Sequence, residues 1–253
     1  MNCIWCKNKV IENAREHIFP EALGCPENFI LENGEVCKNC NSNLGHIDQA
    51  VIDDFDILVF QNDIPRKNNK KPIINNRGNL LGKHTEEGKS IFINMENYAV
   101  ESPFGDKISS SKGQKRNVNA TFSVKGKKAK IKFQITIGES QKFVRGIYKI
   151  AFESLVFRLG IEEANKSKYD IIRDYVLNGI GKRKILINFV DDAEYKNTLY
   201  NHWETEFNDY VFVFRLGYFD FTVDLSEKMY AIQDIENEIE KNKLSNMYTV
   251  IFK

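Results

Sequence analysis

The chain has 253 residues, 42% of them hydrophobic, with 36 Lys+Arg against 35 Asp+Glu and a formal net charge of +1. This composition excludes a wholly disordered chain, and no apolar run approaches the roughly 18–20 residues of a membrane span. The start lacks a basic stretch followed by an apolar core, so no secretory leader and no membrane partner is expected, and the protein reads as cytoplasmic.

In chain order, the first feature is the cysteines. All five fall at positions 3, 6, 25, 37 and 40. An odd number at one end of a cytoplasmic chain argues against a disulfide framework and for metal binding. Cys3-Ile4-Trp5-Cys6 and Cys37-Lys38-Asn39-Cys40 are two CxxC pairs separated by 30 residues. The i, i+3 spacing puts two sulfurs on one ion, and four sulfurs complete a tetrahedral zinc site. Four thiolates leave such a site formally at −2, which suits a structural role rather than water activation. Cys25 has no partner and reads as a free thiol. The spacer is longer than in many zinc ribbons, so it is expected to form structure of its own.

An amphipathic helix is expected over Ile47–Phe55, leaving the metal site. Residues 61–113 are polar and rich in Asn, Gly and Lys, which predicts turns and loops with one strand over Ser90–Asn94. Alternation over Asn119–Val124 and Ala129–Ile137 predicts a β-hairpin. Ser140 is a good N-cap for a helix presenting Val144, Ile147, Ala151, Leu155 and Leu159 and stopped by Gly160. A second helix is expected over 162–178, ended by Gly179. Strands are expected over Lys184–Val190, Tyr210–Arg215 and Tyr218–Leu225, then a short helix over Gln233–Lys243 and a strand over Met247–Phe252. The expected fold is α+β, in three parts: a zinc-stapled domain over 1–60, a basic loop-rich linker over 61–118, and a C-terminal domain over 119–253 with two helices on a mostly antiparallel sheet.

Charge is distributed unevenly. Residues 1–60 carry 4 Lys+Arg against 10 Asp+Glu, residues 61–150 carry 19 against 7, and residues 151–253 carry 13 against 18. A middle third this basic can supply phosphate contacts with little sequence reading. Arg66, Lys67, Lys70, Lys71, Lys115, Arg116, Lys127 and Lys128 are its candidate nucleic-acid contacts. A merely solvated face is the other reading of the same residues. His84 and His202 stand alone in sequence and read as surface or packing residues.

The spacer between the knuckles holds Glu16-His17-Ile18-Phe19-Pro20-Glu21-Ala22-Leu23-Gly24, and the second knuckle leads into Asn41-Ser42-Asn43-Leu44-Gly45 with Asp48 beyond. In order and spacing, residues 3–48 resemble the HNH endonuclease superfamily, in particular its branch with a four-cysteine zinc site. A looser similarity extends to Arg145–Phe152 and Ile172–Gly179, which look like the helical part often found downstream in bacterial members.

The resemblance implies a β-hairpin and a helix, the ββα-metal arrangement, around one divalent cation, Mg²⁺ or Mn²⁺. His17 would be the general base, Glu16 would stand where the family usually has an Asp ligand, and Asn41 would match the Asn ligand. Asn33 lies near the family's bracing Asn, although Gly34 beside it equally marks a turn. His46 and Asp48 are candidates for the variable third position, with Asp48 the better oxygen ligand and a solvated carboxylate the alternative. The residue types agree: a neutral imidazole suits base work near pH 7, and carboxylate and carboxamide oxygens are hard ligands. The implied activity is hydrolysis of DNA phosphodiesters, by nicking or by double-strand cleavage after dimerisation, in a prokaryotic or phage defence or restriction setting. Two other readings stand beside it: a non-catalytic zinc module that binds nucleic acid or protein, and a ribonuclease using the same site. Residues 140–253 carry no motif that chooses between DNA binding, a homodimer contact, a partner protein and ligand sensing.

Overall fold

The second CxxC pair doubles as a helix start. In a computed structural model, which describes residues 1–75, 77–96, 98–109, 117–126, 128–134, 136–189, 200–205, 211–243 and 247–251, α1 (Lys38–Gln61) begins directly after Cys37. Before it, β1 (Glu16–His17) pairs antiparallel with β2 (Ile30–Leu31), Glu16 opposite Leu31 and His17 opposite Ile30. Between these strands the Glu21–Leu23 turn closes on Gly24, whose φ of 81° is left-handed and whose N–H reaches Glu21 O at 2.9 Å. Glycine takes that conformation without the Cβ penalty of other residues.

Residues 56–137 form one compact unit. They contain the hairpin β3 (Leu80–Thr85) with β4 (Gly88–Ile93), the short pair β5 (Ala99–Glu101) with β6 (Lys107–Ser109), and the hairpin β7 (Asn119–Lys125) with β8 (Lys128–Gln134), each antiparallel. Ile57, Phe60, Ile74, Leu80 and Val118 make its core. Within it the guanidinium of Arg77 holds the carboxylate of Asp56, 2.7 Å from Nη2 to Oδ1 with both side chains buried, and the Asn79 side chain exchanges two hydrogen bonds with the Val118 backbone at 2.9 Å. The strand expected over Ser90–Asn94 is β4. Its partner β3 escapes sequence reading because Gly82 interrupts the alternation; the absent side chain lets Ile74 and Phe60 pack there, since a Cβ would lie 2.9 Å from Ile74 Cδ1. β5 and β6 have three residues each, too short for periodicity to register.

Residues 1–55 and 138–253 form the other unit. α2 (Gln141–Ala164) starts as expected: Ser140 Oγ accepts from Phe143 N at 3.1 Å. Every residue from Phe143 to Val156 is buried, the mark of a helix enclosed on all sides. Gly160, with φ 82° and ψ 169°, breaks the helix, which then resumes for one turn to Ala164. The remainder of the helix expected over 162–178 is α3 (Asp170–Asn178), ended by left-handed Gly179. The sheet has the order β10-β11-β12-β9-β13, formed by β9 (Lys184–Phe189), β10 (Tyr200–Thr205), β11 (Val211–Leu216), β12 (Phe219–Asp224) and β13 (Met247–Ile251), all neighbours antiparallel. α4 (Tyr230–Asn242) precedes β13.

An aromatic column joins α1, α2 and the sheet: Phe55 and Phe143 at 6.4 Å, Phe143 and Phe221 at 5.9 Å, Phe221 and Phe214 at 5.6 Å, and Phe214 and Phe19 at 5.4 Å. The fold is therefore α+β, with four helices and antiparallel sheets among the described residues. The units divide the chain at 55/56 and 137/138 rather than at 60 and 118. The hairpin β7–β8 belongs with the basic middle of the chain, because Val118 is buried in that core and Phe133 packs against it. No helix among the described residues is long and apolar enough to cross a membrane.

Candidate metal centre and the buried charge cluster beside it

The four knuckle sulfurs, of Cys3, Cys6, Cys37 and Cys40, all lie within 4.8 Å of one another. Four sulfurs at about 2.3 Å from a tetrahedral zinc sit ~3.8 Å apart, and Cys6 Sγ and Cys37 Sγ are 3.9 Å apart. Backbone amides turn toward the sulfurs, Cys37 N to Cys3 Sγ at 3.4 Å and Cys40 N to Cys37 Sγ at 3.4 Å. The hydrogen bond from the Cys40 thiol, with the amides of Cys37, Cys6 and Trp5, draws the Cys3 thiol down to about 4 despite its burial. A thiolate is what a zinc ligand must be. Cys25 lies outside the cluster: its thiol donates to Phe29 O and Pro26 O at 3.4 and 3.5 Å, and burial pushes its pKa up to about 11.

The knuckle is tied to the helices behind it. Arg173 on α3, 4% exposed, donates from Nε to Ile4 O at 2.5 Å and from Nη2 to Ala164 O. Trp5 donates its indole N–H to Glu153 Oε1 on α2 at 3.1 Å. Both contacts come from between the first two cysteines, so the four-cysteine cluster and α2 share one core.

Beside the knuckles lies a buried cluster that adds Lys149 and Glu153 to the Glu16, Asn41 and Asp48 expected from sequence. Lys149 on α2 has a side chain with 0% exposure. Its ammonium lies 2.6 Å from Glu16 Oε1, 3.0 Å from Asp48 Oδ1 and 3.2 Å from Glu153 Oε2. The other oxygen of Glu16, Oε2, accepts from Asn41 Nδ2. Glu16, Asn41 and Asp48 are thereby gathered from β1 and α1 around one point, and the cation they meet there is an ammonium. Burial alone would lower the Lys149 pKa, yet Asp48, Glu153 and Glu16 together hold it well above its ordinary value. Burial raises Glu153 well above the usual carboxylate range, and Asp48 also rises, in each case against the pull of Lys149. Asp48 Oδ1 and Glu153 Oε2, although within ion-pair range of Lys149, accept no hydrogen bond among the described residues.

His17 sits next to Glu16 on β1. Alternation along a strand sends neighbouring side chains to opposite faces, and Glu16 is buried while His17 is partly exposed. Asn33 is exposed in the turn before the second knuckle, its backbone N–H donating to Glu35 Oε2 at 2.6 Å. Asn33 therefore serves that turn, and Gly34 beside it has a φ of 96°. His46 is exposed on α1, with Nδ1 2.8 Å from Asn43 O. Of the basic candidates, Arg66 donates to Ile73 O at 3.0 Å, Lys70 and Lys71 are exposed, Lys67 begins a short 3-10 turn and Lys128 begins β8. Lys115, Arg116 and Lys127 lie outside the described residues.

The residues of the cluster that sequence reading did not single out are Lys149, Glu153 and Trp5, which donates to Glu153. The i, i+4 spacing of Lys149 and Glu153 among the mostly apolar residues 143–156 is the signal that could have found them, because a charged pair on a fully buried face needs partners elsewhere. In comparisons with family models, curated proteins and solved structures, nothing matches this chain. The functional reading therefore rests on the residues and their geometry.

Proposed function

We propose that this protein is a metal-dependent endonuclease of the HNH type, hydrolysing phosphodiester bonds of DNA, with its ββα-metal site held by a structural zinc. The observation that carries the reading is the contact between Glu16 and Asn41, two residues 25 positions apart that the motif pairs as oxygen ligands. Short strands β1 and β2 followed by α1 give the order of elements that the reading requires.

The donor set fits a hard divalent cation. Three carboxylates, Glu16, Asp48 and Glu153, face one ammonium; burial favours the protonated form of Glu153, so Glu16 and Asp48 leave a surplus of one negative charge, which Mg²⁺ or Mn²⁺ would offset. Uncompensated charge at this depth costs several kcal/mol. Glu16, Asn41 through its carboxamide oxygen, and Asp48 would hold the ion, and it would supply charge stabilisation at the scissile phosphate. His17, the residue after Glu16 on β1 and partly exposed, would take the proton of the attacking water; general-base help of this kind contributes typically 10²–10⁴-fold.

A second reading, a non-catalytic zinc module that binds nucleic acid, is favoured by one observation: the Lys149 ammonium already neutralises part of the cluster. One experiment decides between them. Supercoiled plasmid DNA and a structured RNA are incubated with the zinc-loaded protein and titrated Mg²⁺ or Mn²⁺, wild type beside His17→Ala. The nuclease reading expects cleavage that requires the added ion and falls at least 100-fold in the variant; equal residual activity in the two proteins overturns it. RNA cut in preference to DNA would make the enzyme a ribonuclease.

A further inference from the structure

We propose that residues 56–137 carry a phosphate-binding pocket for a nucleic-acid backbone, formed by Lys70, Lys71, Lys89 and His84. The pocket is a cleft of about 560 Å³ lined by these four residues together with Asp63 and Asn69. Three lysines against one aspartate leave it at about +2, the right sign and size for one phosphodiester and a neighbour.

Three features make it a built site rather than a patch of surface lysine. Lys89 is held in place, its ammonium 2.8 Å from Asp63 Oδ2 and 2.7 Å from Gln61 O. His84 is 13% exposed and stacks edge-on against Phe60 at 5.2 Å, yet its Nε2 is buried without a hydrogen-bond partner, the Asp63 carboxylate lying 3.6 Å away. That nitrogen becomes available to an acceptor such as a phosphate oxygen when the Asp63 side chain, 58% exposed, moves aside. Two of the lining residues, Asp63 and Asn69, are non-glycine residues in the left-handed region, with φ of 55° and 56°. Such conformations gather at ligand clamps.

This proposal deepens the nuclease reading by naming what the basic part of the chain grips, and it is tested without cleavage. The full-length protein, with no added Mg²⁺ or Mn²⁺, is titrated into a labelled duplex of about 20 base pairs and followed by fluorescence anisotropy across a salt series. The double variant Lys70→Gln/Lys71→Gln should bind at least 10-fold more weakly near 50 mM salt and lower the slope of log K against log salt by about 2. In parallel, the His84 imidazole signals are followed by NMR as duplex or inorganic phosphate is added. Shifts with both identify a site for phosphate as such; shifts with duplex alone identify the nucleic-acid backbone as its source. Unchanged affinity and slope in the variant, or His84 signals that move with neither, overturn the pocket. Hydrolysis of bis(p-nitrophenyl) phosphate by the unmodified protein with Mn²⁺ reports on the nuclease reading separately, since it asks only whether the chemistry occurs.

Discussion

Lys149 Nζ lies 2.6 Å from Glu16 Oε1 although 133 residues separate the two in the chain. The contact joins the strand that carries the candidate catalytic motif to the central helix of the same unit. Its depth sets its consequences, because the Lys149 side chain has no exposed surface and that of Glu16 is 5% exposed.

Removing the ammonium while leaving its carboxylates buried should be costly. Lys149→Met is expected to lower the unfolding free energy by about 3–5 kcal/mol, the range for breaking a buried ion pair from one side. Urea denaturation followed by far-UV circular dichroism measures it. A loss under 1 kcal/mol would mean that water reaches the cluster and screens it.

Glu153 gives a pH dependence of definite sign. Burial, outweighing the pull of Lys149, holds its folded-state pKa well above the ordinary 4.5. The folded chain therefore keeps a proton that the unfolded chain has released, so stability is full below about 4.5 and declines as pH rises toward the folded-state value. Glu153→Gln keeps an acceptor for the Trp5 indole and removes this titration. Its urea midpoint should vary less than that of wild type between about pH 5 and pH 8; parallel curves would show that Glu153 ionises normally.

A zinc ion held by the four-cysteine cluster would separate the cysteines into two classes. With zinc bound, iodoacetamide at about pH 8 should modify none of the four ligands, and Cys25, held at about 11 by burial, should react slowly. After chelation all five cysteines should alkylate and the helical signal should fall, since the Trp5 and Arg173 contacts depend on the knuckle. Intact-mass spectrometry and metal analysis give both results, with one zinc per chain expected. Full alkylation before chelation would show that the sulfurs hold no metal.

Gly146 marks the closest approach of α2 to α1. A Cβ there would lie 2.4 Å from Val51 Cγ2 and 3.2 Å from Ile47 O. Alanine normally gains about 1 kcal/mol over glycine inside a helix, but the overlap should win, giving a net loss of about 1–3 kcal/mol for Gly146→Ala. Adding Val51→Ala should recover part of it, measurable as a coupling in a double-mutant cycle.

Local signals carried much of the fold. The Ser140 cap, the Gly179 stop, the hairpin flanking Gly126 and the strands over 184–189, 211–216 and 219–224 are written in spacing and turn chemistry, and each is where those rules put it. The gathering of the four cysteines was legible for the same reason: CxxC is a local geometry, and two of them leave few arrangements other than one shared ion. Strands β3, β5 and β6 were not legible, because short or glycine-interrupted strands gain their identity from a partner rather than from their own period, and β10, a mostly polar edge strand over Tyr200–Thr205, lacks apolar alternation.

By itself the sequence determined the α+β class, the four sulfur positions and the pairing of Glu16 with Asn41 as a candidate site. Only the tertiary structure decided that Lys149 and Glu153 complete that cluster, that Trp5 and Arg173 fasten the knuckle to α2 and α3, and that 138–253 folds with 1–55 rather than with the basic middle. The reason is physical. Capping, turns and knuckles are set within a few residues, whereas the partner of a buried charge is chosen by which distant segments the core brings together, and no local pattern records that choice.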